Sequence, residues 1–92
     1  MRDSLTVIET TDETTIETIY FLSQDKKTLH SHEVRYNPEW EYGGCFTKDH
    51  SVRWRNYRHN HWFNRIAMAI QYDHKSERWL QECCDHTLEI IW

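Results

Sequence analysis

A chain of 92 residues, 38% hydrophobic, 28% charged and carrying thirteen aromatics, reads as one folded domain rather than a disordered segment. A chain this size buries roughly 60–65% of its unfolded surface. The net charge of −4 with histidines neutral argues against a dedicated nucleic-acid binder, which carries a basic face or a high isoelectric point. No run approaches the ~20 apolar residues of a membrane span.

In chain order, Ser4–Glu9 reads as a strand and Thr10–Thr14 as a polar turn. Thr15–Leu22 alternates, with Ile16, Thr18, Tyr20 and Leu22 on one face and Glu17, Ile19 and Phe21 on the other. Its β-branched and aromatic content predicts a strand. Ser23–Lys27 is a turn, and Leu29–Tyr36 returns as a strand with His30, His32, Val34 and Tyr36 on one face. These segments predict an antiparallel meander. Asn37-Pro38 ends it, because the residue before proline is pushed out of helical space. Gly43-Gly44 has the chemistry of a hairpin or glycine loop.

Ser51–Arg58 predicts a further strand, with Arg53, Arg55 and Tyr57 on one face and Val52 and Trp54 on the other. From Asn60 the period changes to 3.6: Trp62, Phe63, Ile66, Ala67 and Ile70 share one helical face, with Asn60 as N-cap. Periodicity over the seven residues Ile66–Tyr72 does not by itself separate helix from strand. Asp73 is placed to cap a second short helix with Trp79, Leu80, Cys83 and Cys84 on its apolar side, and Thr87–Trp92 closes as a strand. Strands first, then helices, then a last strand give an α+β class over a single compact domain, residues 1–92.

The charge is unevenly distributed. Residues 1–50 carry five Lys/Arg and ten Asp/Glu, and residues 67–92 sum to −3. Between them Ser51–Arg65 holds four arginines, two histidines, four large aromatics and no acid. Arginine makes bidentate contacts with carboxylate or phosphate, aromatic rings stack on bases or fill partner pockets, and Trp, Tyr and Arg are the types enriched at protein–protein hot spots. The expected partner-binding residues are therefore Arg53, Trp54, Arg55, Tyr57, Arg58, His59, His61, Trp62 and Arg65. The bland alternative places Trp54, Trp62 and Phe63 in the core and pairs the arginines with the protein's own carboxylates.

Other chemistries are weaker. Only two glycines occur, and they are adjacent, which removes the spaced-glycine dinucleotide and phosphate loops. The nucleophile elbow is missing too. His59-Asn60-His61 spells a nuclease name without the spaced residues such a site needs. No enzyme activity is expected. His30-x-His32, His59-x-His61, Cys45-x₄-His50 and Cys83-Cys84-x-His86 supply zinc-ligand types but no matched pair of ligand pairs. Neither a metal nor another cofactor is expected. Cys83 and Cys84 read as structural thiols rather than a redox site. The acids of the N-terminal half, among them Glu9, Glu13, Glu17 and Asp25, offer a minor possibility of phosphate mimicry. Protonating all seven histidines below pH ~6 adds seven charges to −4 and gives +3.

An odd cysteine count with one adjacent pair fits a reducing compartment, and the first residues hold no apolar core of a secretory signal, so a cytoplasmic location is expected. The reading that follows is a non-catalytic, stoichiometric modulator or inhibitor of a larger partner, most simply a protein. By analogy, a small aromatic-rich acidic chain of this kind suits a modulator or inhibitor such as those carried by phage and other mobile elements. Single-stranded RNA or DNA binding through the same residues is the alternative. Homodimerisation through Leu88–Trp92 is also open, and no membrane association is expected.

Overall fold

The computed structural model describes residues 4–11, 13–37, 39, 45–74, 76–84 and 87–92. They form strands β1 (Ser4–Thr11), β2 (Thr14–Leu22), β3 (Thr28–Tyr36) and β4 (Cys45–Arg53), helices α1 (Trp54–Tyr57), α2 (His61–Gln71) and α3 (Glu77–Gln81), and strand β5 (Leu88–Ile91). The sheet order is β4-β3-β2-β1-β5, and every neighbouring pair is antiparallel. The first three strands form the expected meander, and β4 extends it from Cys45, six residues before the strand expected to begin at Ser51. The chain then crosses one face of the sheet as helices and returns beside β1. This is an α+β architecture.

The alternation of β2 decides which face the helices cover. Tyr20 and Leu22, with Leu5 and Val7 of β1, Leu29 of β3, and Leu88 and Ile90 of β5, are buried against Tyr57, Ile66, Ala67, Ala69, Ile70 and Leu80 of the helices. The small side chains of Ala67 and Ala69 let α2 lie close to the sheet. Asn60 caps α2, its side-chain oxygen accepting from the Phe63 N–H at 3.1 Å. Residues 66–71 belong to that helix, so burial and capping resolve what periodicity left open.

Several boundaries differ from those expected. The β-branched threonines extend the first hairpin, so Thr11 pairs with Thr14 and only two residues connect the strands. Strand β4 ends at Arg53, and the segment expected to continue as a strand to Arg58 is a helical turn instead. The Trp54 N–H donates to the Lys27 carbonyl at 2.7 Å, which completes the pairing with β3. The chain must then bend to bring Tyr57 over the core. Arg53, Arg55 and Tyr57 therefore do not share a strand face.

Asp73 does not start α3; it ends α2. Its φ of 51° places it in the left-handed region just beyond the helix, and the His74 N–H closes back on the Ala69 carbonyl at 3.0 Å, a Schellman-type stop. Ser76 caps α3 by accepting from the Trp79 N–H at 3.2 Å. Cys83 and Cys84 fall in the turn after α3 rather than on its apolar side. Pro38 and the Gly43-Gly44 loop lie outside the described residues.

Candidate binding site

The turn between β2 and β3 is built by one carboxylate. Asp25 accepts from the Ser23 hydroxyl at 2.6 Å and the Lys27 N–H at 3.0 Å, and these bonds, the hydroxyl's first, hold its carboxyl below the usual value. Ser23 and Thr28 close the turn by exchanging bonds, the Ser23 N–H to the Thr28 carbonyl at 2.9 Å and the Thr28 N–H to the Ser23 hydroxyl at 3.0 Å. Lys26 takes the left-handed conformation, φ 63°, so the turn reverses within five residues and leaves two lysines at its tip.

Register brings this tip to the end of β4, because Thr28 pairs with Arg53. The Tyr57 hydroxyl donates to the Lys26 carbonyl at 3.1 Å and ties the turn to α1. Between turn and helix lies a cleft of about 730 Å³ lined by Lys26, Lys27, Arg53 and Arg55, with Asp25 its one acid. Trp54 and Tyr57 supply aromatic wall. Trp54 is 48% exposed, and the Arg58 guanidinium sits 4.7 Å from its ring centroid, occupying one side of the indole.

Among the described residues no carboxylate lies within ion-pair distance of Lys27, Arg53 or Arg55. That contrasts with Arg35, paired with Glu33 at 3.2 Å, and Arg65, paired with Glu82 at 2.9 Å. Lys26, Lys27, Arg53 and Arg55 thus stand around one concave surface with Asp25, whose carboxylate is already bonded within the turn.

The nine residues expected to bind a partner separate into four groups. Arg53, Trp54 and Arg55 line the cleft, and Arg58 stacks on Trp54. Tyr57, expected on the contact face, is only 3% exposed; it is a core residue whose hydroxyl braces the cleft, and burial raises its phenol pKa. His59 and His61 are exposed around the α1–α2 turn, with His59 Nε2 accepting from the Arg58 Nε at 3.1 Å.

Trp62 and Arg65 belong to the packing. The Trp62 indole N–H donates to the Tyr20 hydroxyl at 3.1 Å, and the rings meet edge to face at 6.3 Å. The Arg65 guanidinium donates to the Trp79 carbonyl at 2.6 Å and to Glu82 at 2.9 Å, and it lies 5.1 Å from the Trp79 ring centroid. It clasps α2 to α3 rather than facing outward. Lys26 and Lys27 were missed by sequence reasoning, which read them only as turn residues. The signal for them was the β3–β4 register, which sets the turn beside Arg53.

The ligand-type pairs do not converge. On one face of the sheet His30 Nδ1 meets the Ser51 hydroxyl at 2.7 Å and His32 Nδ1 meets the Asp49 carboxylate at 2.5 Å. Cys45 and His50 lie five residues apart on β4 and so point to opposite faces. Cys45, Cys83 and Cys84 are free thiols, and His86 lies outside the described residues. Among the described residues no three His, Cys, Asp or Glu side chains gather as metal ligands. A second, polar cleft of about 250 Å³ lies under Phe63, where Glu33 and Lys48 face each other across β3 and β4. No helix among the described residues is long and apolar enough to cross a membrane. No family model, no curated protein and no solved structure matches the chain.

Proposed function

We propose that this protein is a non-catalytic intracellular binding module, a stoichiometric modulator that captures an acidic surface segment of a larger protein in the cleft between the β2–β3 turn and α1. The observation that carries the reading is the gathering of Lys26, Lys27, Arg53 and Arg55 around one concavity beside the half-exposed Trp54. Arginine and tryptophan in a desolvated pocket are the anchors that dominate interface energetics. The three unbonded thiols fit a reducing compartment.

A protein partner is favoured over a nucleic acid by range. Outside residues 51–65 the chain sums to −8, the −5 of its first half together with the −3 of its last 26 residues. A long polyanion must pass that acidic surface, whereas a short carboxylate segment feels chiefly the charges within a Debye length, ~8 Å at physiological salt. One observation supports the alternative. Trp54 is half-exposed, as a stacking platform for a base must be, and stands beside cations suited to phosphates.

The test is capture of partners from the native host by the wild-type chain and by the triple variant Arg53→Ala, Arg55→Ala, Arg58→Ala. All three side chains are exposed, so the variant should keep its melting temperature while capture of a protein partner weakens at least about tenfold, ~1.4 kcal/mol. Unchanged capture by a folded variant rejects the reading. Oligonucleotide titration is the second arm: tight binding that falls steeply with log[salt] transfers the site to single-stranded nucleic acid.

A further inference from the structure

The sheet face turned away from the helices has no second layer over it among the described residues. Antiparallel sheets tolerate a wet face when it is polar. Here the centre of that face is apolar. Ile19 and Phe21 stand on β2, the central strand of the five, and are 38% and 42% exposed; Ile91 on β5 is 48% exposed. Register places Ile91, Thr6, Ile19, His32 and Asp49 in one row across the sheet. Phe21 stands in the next row, stacked on His30 at 4.9 Å.

The charges on this face are divided. Its bases, His30, His32 and Arg53, stand on β3 and β4, where Asp49 is already bonded to His32. Its other acids, Glu17 and Glu89, stand on β2 and β5 and have no ion-pair partner among the described residues. A surface with acids on one diagonal corner, bases on the other and an apolar centre is complementary to itself. We infer that two copies of this chain pack through this face as a two-fold dimer, the sheets crossing near 90°, with the axis passing over Ile19.

Orthogonal sheet packing is an established mode, and here it brings the apolar residues of the face together and sets Glu17 and Glu89 opposite its bases. Rotation about the diagonal running between the two charged corners lays Ile19 on its symmetry mate and Phe21 on the other copy's Ile91. The same rotation carries Glu89 into the corner held by His30 and Arg53, and Glu17 over His32. With strands ~4.8 Å apart and ~3.3 Å per residue, the face covers roughly 550 Å² in projection. Side-chain relief raises this toward the ~800 Å² per partner of a standard interface. Arg53 belongs to both surfaces, but Ile19, Phe21 and Ile91 do not line the cleft of the proposed function, so variants at those positions separate dimerisation from partner capture.

Sedimentation of the full chain at roughly 100 µM, above the micromolar range expected of a small interface, should show a dimer. The double variant Ile19→Lys, Phe21→Glu should sediment as a monomer with an unchanged circular dichroism spectrum, while Met68→Lys, on the exposed side of α2, stays dimeric. Ile19→Cys in a background with Cys45, Cys83 and Cys84 changed to alanine should cross-link on mild oxidation, through a disulfide joining position 19 of the two copies. A wild-type monomer at that concentration overturns the proposal. So does a dimer that survives the Ile19/Phe21 double variant, which points instead to pairing along the β5 edge. If the double variant fails to fold, the position-19 cross-link decides: its formation supports the face and its failure in a dimeric sample rejects it.

Discussion

Arg53 and Arg65 are the same residue type twelve positions apart, and their surroundings give them opposite work. Arg53 lines an open cleft, with no carboxylate among the described residues at ion-pair distance from it. Arg65 spends its guanidinium on the Trp79 carbonyl, Glu82 and the Trp79 ring. Charged hydrogen bonds of this kind contribute about 1.5–3 kcal/mol each when partly buried, less where solvent screens them. Arg65→Ala is therefore expected to destabilise the fold by about 1–3 kcal/mol in urea denaturation and to leave partner capture unchanged. A variant of normal stability that loses capture would move Arg65 into the contact surface.

At the scale of elements, the ends of helices are decided by single side chains. Asn60 satisfies the Phe63 N–H at the start of α2, so Asn60→Ala should cost about 1 kcal/mol, read as a lower denaturation midpoint with an unchanged slope. Its role was legible, since asparagine before a 3.6-period apolar run is a start signal. Asp73 was misread for a related reason. Asp is both a good N-cap and one of the few residues that tolerate the left-handed region, and only the return of the chain onto Ala69 selects the second role. The strand-to-helix switch at Trp54 was hidden in the same way: alternation fits Ser51–Arg58, but the hairpin partner of β4 runs out at Thr28.

Across the whole molecule, two buried phenols make the fold sensitive to alkali. Burial pushes the Tyr20 hydroxyl up to about 12, above the ~10 of an unfolded chain, and shifts Tyr57 in the same direction. The folded protein keeps these protons where the unfolded chain has lost them. Stability should therefore be intact below pH ~10 and fall as pH rises toward ~12, by about 1.4 kcal/mol per unit for Tyr20. Denaturation curves at pH ~7, ~10 and ~11.5 check this. Tyr20→Phe should flatten the alkaline slope and, by leaving the Trp62 indole N–H without its acceptor, lower stability at neutral pH by about 1–3 kcal/mol.

Local pattern alone determined the first three strands of the meander, the Asn60 cap and the start of α2, and the concentration of positive charge and aromatics near residue 55, because each depends on neighbours within about one turn or one strand. That residues 66–71 continue α2 was decided by burial. The residues Trp62, Phe63, Ile66, Ala67 and Ile70 could be assigned to one face before any partner was known. Tertiary structure decided that Arg65 is paired while Arg53 has no carboxylate at ion-pair distance among the described residues, since the two differ only in the acids and carbonyls that distant segments bring to them. It also decided that Lys26 and Lys27 join Arg53 and Arg55 at one cleft: 26 residues separate Lys27 from Arg53 along the chain, but the pairing of β3 with β4 closes that distance. Charge content is a property of the sequence, whereas a binding site is a property of juxtaposition, and juxtaposition comes from strand register.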